Sequence, residues 1–161
     1  MKMDFWLNNV HREAEVQPDT LLLDLLRQMG CFSVKRGCET ANCGLCTVLL
    51  DGRPVLSCSM LALRIQGKKV VTLEGMEKEA QEFGAFLAGE GAEQCGFCNP
   101  GFIMNVFAML KELQDPDEEQ IREYLAGNLC RCSGFVGQTR SILKYLEYKK
   151  NENGQEKEVQ P

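Results

Sequence analysis

Eight of the nine cysteines fall into two groups of four. The first runs Cys38-x4-Cys43-x2-Cys46, with Cys58 following after eleven residues. The second pairs Cys95-x2-Cys98 with Cys130-x-Cys132 across a gap of 31 residues. Thiolates are soft ligands, and the x4-x2 triplet with a distant fourth cysteine is the plant-type spacing for a [2Fe–2S] cluster. Such a rhomb takes two thiolates on each iron, so a tight loop wraps one side while the last ligand arrives from a strand. Small residues in that loop, Ala41, Asn42 and Gly44, let backbone N–H groups point at the sulfurs and stabilise the negative charge. Structural zinc sites instead pair two short C-x2–4-C knuckles, a pattern the triplet lacks.

The second set is less decisive, because a Cys-x2-Cys joined to a Cys-x-Cys holds zinc about as well as iron. Position favours the cluster. Cys95 and Cys98 immediately precede a predicted helix at 100–113, whose N-terminal dipole favours an anionic ligand sphere. Cys130 and Cys132 follow Gly127 in another loop, so four thiolates can converge at one end of a helical unit. An inert zinc site beside a lone electron site would also have little use. Two quartets in so short a chain read as a conductor of single electrons.

The elements that must position these cysteines are short. Residues 3–8 and 10–16 read as strands joined by a tight turn at Asn8-Asn9. Thr20 is expected to cap a helix in which Leu21, Leu22, Leu25, Leu26 and Met29 recur at helical spacing, ended by Gly30. A loop with Gly37 and Gly44 follows. Thr47 to Leu50, a turn at Asp51-Gly52, and Val55-Leu56 predict a hairpin that returns Cys58 toward that loop. Val70-Val71-Thr72 forms a last strand. Beyond residue 78 the apolar period becomes 3.6. One helix uses Ala80, Phe83, Gly84 and Leu87; the next, 100–113, has Asn99 as N-cap and Pro100 at N1. A third starts at a capping box in Asp115-Pro116-Asp117-Glu118, presents Ile121, Tyr124 and Leu125, and stops at Gly127. A fourth spans 136–148. The expected class is α+β: a β-grasp, plant-type ferredoxin-like domain at 1–76 and a helical [2Fe–2S]-binding domain, a four-helix bundle, at 77–148. The polar tail 149–161 is expected to be disordered.

With 161 residues, 44% hydrophobic and 25% charged, the chain suits two small soluble domains that lean on metal for stability. A net charge of −5 argues against nucleic acid and anionic membranes as partners. No apolar run approaches the ~20 residues of a membrane span. The N-terminus shows neither an apolar export segment nor twin arginines, and clustered thiols in an odd number then suit the cytoplasm.

Three long motifs, in order, resemble the molybdenum hydroxylases, the xanthine dehydrogenase and aldehyde oxidoreductase family. Gly37-Cys38 through Cys43-Gly44-Leu45-Cys46-Thr47-Val48-Leu49-Leu50-Asp51-Gly52 is similar to the first-cluster motif. Gln94-Cys95-Gly96-Phe97-Cys98-Asn99-Pro100-Gly101 resembles the second, and Gly127-Asn128-Leu129-Cys130-Arg131-Cys132-Ser133-Gly134-Phe135 the third. The likeness covers almost everything up to about residue 148. It is to the separate iron–sulfur subunit of those enzymes. It implies two [2Fe–2S] clusters here, with the molybdopterin-type molybdenum cofactor and FAD on partner subunits. Electrons would leave the molybdopterin subunit singly, pass the helical-domain cluster and then the ferredoxin-like one, and reach the flavin. Cys132 matches a cysteine that both ligates and approaches the pterin, Gln94 matches a residue on that side, and the loop 38–46 would face the flavin subunit. Thr40-Ala41, Leu45, Asn99, Ser133 and Gln138 depart from the family pattern, while all eight cysteines remain.

Other residues carry plainer expectations. Cys31 reads as a small buried apolar residue, His11 as a surface residue, and Met104 and Met109 as core. Lys35-Arg36 suits a solvated loop, compensation of cluster charge or docking of a partner; Arg131 suits either solvent or donation to a sulfur or a partner's cofactor. Glu118 reads as a capping residue. The chain lacks a G-x-G-x-x-G fingerprint and the size to enclose a molybdopterin, so no substrate site is expected on it. Two rival readings are a stand-alone ferredoxin or redox sensor, and a zinc-stabilised interaction module.

Overall fold

A computed structural model describes residues 1–158, of which 153–158 are described as backbone alone. Strands β1 (Lys2–Leu7) and β2 (Val10–Glu15) form an antiparallel hairpin with Leu7 opposite Val10. Asn8 and Asn9 at its tip take φ of 51° and 65°, the left-handed angles that a two-residue I′ turn needs and asparagine tolerates. Along β1, Met3, Phe5 and Leu7 point inward while Lys2 and Trp6 face out. The inward face receives α1 (Leu22–Gln28), which buries Leu22, Leu23, Leu25 and Leu26. A helix this short does not stand alone; burial of each leucine, worth about 2 kcal/mol, holds it. Thr20 does not cap it. Leu21 occupies the N-cap without a side-chain bond, and Thr20 Oγ1 accepts from the Gln17 N–H at 3.1 Å, closing the preceding turn instead.

Strand β3 (Thr47–Leu50) is buried at all four positions and pairs antiparallel with β4 (Arg53–Leu56) through the Asp51-Gly52 turn. It also pairs antiparallel with β5 (Lys69–Val71), which runs parallel to β1. The sheet order is therefore β2-β1-β5-β3-β4, a mixed sheet. The unbroken apolar run of β3 has a cause. Val48 and Leu50 enter the core around α1, whereas Leu49 points the other way, onto Met104 and Ala108.

Four further helices follow: α2 (Glu77–Gly89), α3 (Asn99–Glu112), α4 (Glu118–Tyr124) and α5 (Phe135–Glu158). Their own core gathers Phe83, Leu87, Phe102, Val106, Ile121 and Ile142. Helix α3 is buried from Gly101 to Met104 and from Val106 to Met109, because it touches both this core and β3. The architecture is α+β. No described helix is long and apolar enough to cross a membrane.

Three local expectations change. Asn99 is already helical and Cys98 takes the N-cap; the Asn99 amide is drawn off to the Glu93 carboxylate, to which it donates at 3.2 Å. The capping box of α4 consists of Asp117 and Gln120, each side chain accepting from the other's backbone N–H, while Glu118 pairs with Arg122 one turn on at 2.5 Å. Helix α5 continues past 148 to Glu158, where the tail was expected to be disordered. Ion pairs supply what apolar periodicity lacks: Lys149 meets Glu82 at 2.5 Å and Glu152 at 3.0 Å, and Lys150 reaches Asp115. Residues 159–161, the end of that expected tail, lie outside the described residues.

Close backbone approach joins the first cysteine loop to the helices. A Cβ at Gly101 would meet the Gly44 carbonyl and stand 2.8 Å from Leu45 Cα; at Gly44, where φ is +74°, it would meet Asn128 Nδ2 at 2.5 Å and the Gly127 carbonyl at 2.6 Å. Gly101→Ala is thus expected to cost about 2 kcal/mol through backbone displacement. Gly84→Ala, with open space beside it in α2, should gain about 0.5–1 kcal/mol. Opposite shifts in thermal midpoint, read by circular dichroism, check the pair.

Candidate metal centres

The first set is assembled by a loop between α1 and β3. Ala41 and Gly44 take positive φ, 52° and 74°, and curl the backbone so that its N–H groups face inward. The Asn42 N–H donates to Cys38 Sγ at 3.5 Å, and with the Thr40 N–H it brings the Cys38 thiol down to about 6. Cys43 lies against Cys38, and burial pushes its thiol up. Cys46 opens the approach to β3 and is 2% exposed. Cys58 sits on the short 3-10 turn Ser57–Ser59 after β4. Ser57 fixes that return: its hydroxyl donates to the Cys46 carbonyl at 2.7 Å and its N–H to the same oxygen at 3.3 Å. Burial, then the facing Cys46 thiol, drives Cys58 up to about 12. The quartet therefore stands as two pairs, Cys38 with Cys43 and Cys46 with Cys58.

The second set repeats this arrangement from helix ends. Cys95 and Cys132 lie with their sulfurs 3.5 Å apart, and Cys98 lies against Cys130. Gly96 and Gly134, at φ of 70° and 73°, turn the two loops. The Phe97 N–H, and then Cys132, hold Cys95 down, while the bond to Cys95 raises Cys132. Burial opposes ionisation of Cys130, yet the N–H groups of Cys132, Ser133 and Gly134 outweigh it and bring the thiol to about 7. Cys98, half-buried and facing Cys130, rises to about 11. Gln94 Nε2 donates to the Cys132 carbonyl at 3.3 Å and ties the two loops together.

All nine cysteines are unbridged. Among the described residues no three His, Cys, Asp or Glu side chains close on a single-ion position. Two thiol pairs per set, with backbone N–H groups already aimed at one sulfur of three of the pairs, fit the two-per-iron demand of a [2Fe–2S] rhomb.

Both sets face one cavity of about 580 Å³, lined by Cys38, Cys43, Cys95, Cys98, Cys130 and Cys132 among others. The Leu129 N–H donates to the Cys43 carbonyl at 3.0 Å, joining the residue before Cys130 to a member of the first set. Lys35 bridges the sets as well: its ammonium donates to the Phe97 carbonyl at 3.2 Å and lies 4.6 Å from that ring. The Lys35 ammonium is therefore engaged by the chain itself, an arrangement that neither a solvated loop nor the docking of a partner describes. Arg36 pairs with Asp24 at 2.5 Å, and Arg131 is exposed at the cavity wall. Around the second set Phe97, Leu129, Phe135 and Val136 remain 44–61% exposed.

The residues set aside keep their plainer places. Cys31 is buried, as are Met104 and Met109, and His11 lies on the surface against Asp4 at 3.1 Å. Gln138 is buried where it borders a cavity with Phe102, Leu125 and Phe135. Ser57 and the bridging role of Lys35 escape a sequence reading. A serine beside the fourth cysteine is a faint signal, and nothing in the sequence around Lys35 points to Phe97, 62 residues away.

Two domain families match the chain: a 2Fe-2S iron-sulfur cluster binding domain over residues 6–88 and a [2Fe-2S] binding domain over 72–143. The nicotinate dehydrogenase small FeS subunit of Eubacterium barkeri is 42% identical over 81% of this chain and 85% of its own length. The xanthine dehydrogenase iron-sulfur-binding subunit of Escherichia coli O157:H7 is 44% identical over 85% of this chain and 89% of its own. Among solved structures, quinoline 2-oxidoreductase from Pseudomonas putida 86 superposes with a TM-score of 0.82 at 35% identity, over 88% of this chain and 90% of that one. The aldehyde oxidoreductase of Desulfovibrio desulfuricans gives 0.87 at 34% identity, over 94% of this chain and 17% of that longer one. On the three motifs, the paired thiols and these likenesses, the chain belongs to the molybdenum hydroxylase family, as its iron–sulfur subunit.

Proposed function

We propose that this chain is the electron-transfer subunit of a molybdenum hydroxylase built from separate chains, between a molybdopterin-binding subunit and an FAD-binding subunit. The observation that carries this reading is that Cys38 and Cys43 of the first quartet line one cavity with all four cysteines of the second, and that the Leu129–Cys43 hydrogen bond joins the two sets. Cys38, Cys43, Cys46 and Cys58 hold the first [2Fe–2S] cluster; Cys95, Cys98, Cys130 and Cys132 hold the second. When bound, these clusters take up and release one electron at a time, without protons. The chain's own work is to hold thiolates in pairs, aim N–H groups at them and keep the two sets close. Gln94, through its bond to the Cys132 carbonyl, steadies the loop that faces the molybdopterin subunit. The exposed apolar rim of Phe97, Leu129, Phe135 and Val136 supports a docked subunit over a stand-alone ferredoxin.

The finer architecture belongs to this reading. Residues 1–76 form a β-grasp domain, supported by a mixed sheet crossed by α1; 77–148 form a four-helix bundle, supported by its separate core. Unbridged thiols suit the cytoplasm. Relatives named for nicotinate, xanthine and quinoline support an N-heterocycle as the substrate of the assembly, ahead of an aldehyde. The residues that choose it lie on another chain.

Elemental analysis of the purified chain should give about four iron and four acid-labile sulfide; zinc without sulfide would defeat the reading. Cys43→Ser should abolish one of two paramagnetic signals of the dithionite-reduced chain and spare the other. Loss of both would show that the quartets do not act separately. Cys132→Ser should slow reduction by the molybdopterin subunit about tenfold or more while leaving affinity for the FAD-binding subunit unchanged, as surface plasmon resonance would report.

A further inference from the structure

We propose that Asn128 is a positioning residue for electron exchange between the two cysteine sets, clamping the loop 38–46 against the loop between α4 and α5 that carries Cys130 and Cys132. The inference rests on the reading that both quartets hold clusters. Asn128 is 5% exposed and stands two residues before Cys130. Both ends of its side-chain amide are used. Its Nδ2–H donates to the Gly44 carbonyl at 3.5 Å, and its Oδ1 accepts from Asn105 Nδ2 on α3. The next residue, Leu129, donates its N–H to the Cys43 carbonyl. The stretch 128–129 is therefore fastened to 43–44 at two consecutive residues, once by side chain and once by backbone.

Its surroundings leave that stretch little room to move. Gly44 is pinned from its other side by Thr47, whose hydroxyl donates to the same carbonyl at 2.7 Å, and Gly101 of α3 lies under it. The Asn128 N–H is bound to the Leu125 carbonyl at 2.9 Å, the end of α4. Asparagine suits this place because it offers a donor toward one element and an acceptor toward another. Aspartate keeps the acceptor for Asn105 but turns a second oxygen on the Gly44 carbonyl, and alanine abandons both partners. Tunnelling between redox centres falls off exponentially with distance, and falls faster across a gap than across a hydrogen bond. A clamp that holds the Leu129 N–H on the Cys43 carbonyl thus sets the rate of exchange without altering any of the eight thiols.

The test uses the cluster-loaded full chain and its Asn128→Ala, Asn128→Asp and Asn105→Leu variants. Electron exchange between the sets is followed by rapid-freeze paramagnetic resonance, and the magnetic splitting between the two signals is read in the fully reduced chain. All three variants should slow exchange, by about tenfold in Asn128→Ala, and weaken the splitting, with iron and sulfide content unchanged. A merely stabilising residue would lower the thermal midpoint and leave exchange and splitting as they were, which overturns the proposal. Loss of a signal in all three variants would overturn it too, by making Asn128 a cluster-retention residue. If Asn128→Ala alone does not load, Asn128→Asp and Asn105→Leu decide by exchange and splitting. An unaltered chain lacking two signals defeats the proposed function itself, an outcome separate from any of these.

Discussion

Gathering four thiolates into a small, half-buried space is electrostatically unfavourable, and most of the structure around the cysteines answers that constraint. Two sulfurs that face each other cannot both ionise cheaply, which is why each pair described above contains a thiol pushed up by burial or by its neighbour. What offsets the cost is backbone N–H density. Loop 38–46 supplies it through left-handed Ala41 and Gly44, and loop 130–134 supplies it through Gly134 and the turn leading into α5. Tertiary contacts hold both loops in these shapes, so the sheet and the helices act as clamps for two N–H nests.

Those clamps differ in origin. The first loop is bounded by α1, anchored by four leucines, and by β3, the most buried strand of the sheet. The second set is bounded by the start of α3 and the loop between α4 and α5. Helix α3 links the two worlds. Its N-cap is Cys98, its second residue-pair includes Gly101 beneath the Gly44 carbonyl, and further along Met104 and Ala108 receive Leu49 of β3. One helix thus orients a ligand-bearing residue, supports the opposite loop and cements the two cores. Packing at this seam is backbone on backbone, which explains why glycine stands on both sides of it.

Charge is arranged with equal economy. Lys35, beside the first loop, is drawn onto the Phe97 carbonyl and ring, placing a cation between two groups of thiolates. Arg36, its neighbour, is neutralised by Asp24 instead. The apolar rim around the second set leaves that end suited to a protein partner, whereas the outer hairpin strand β2 is charged and exposed and resists pairing with other strands.

Spacing and local chemistry made much of this legible before any coordinates. Cysteine spacing depends on ligand chemistry alone, so the quartets could be read directly; the Asn8-Asn9 and Asp51-Gly52 turns could be read because left-handed backbone admits few residue types. The helices of the second half followed from their 3.6 period. Caps were harder. Thr20 and Asn99 each found a different partner, because a short polar side chain serves whichever backbone or carboxylate group folding brings nearest, and Glu118 pairs along its own helix with Arg122. Where α5 continues past 148, Lys149 and Lys150 make ion pairs with Glu82 and Asp115, which have no periodic signature. By itself the sequence determined which cysteines stand together and in what groups. Tertiary structure alone decided that Cys38 and Cys43 share a cavity with the second group, that Leu129 meets Cys43 and that Lys35 meets Phe97. These are contacts between residues far apart in the chain, and their geometry depends on how two cores dock rather than on any local pattern.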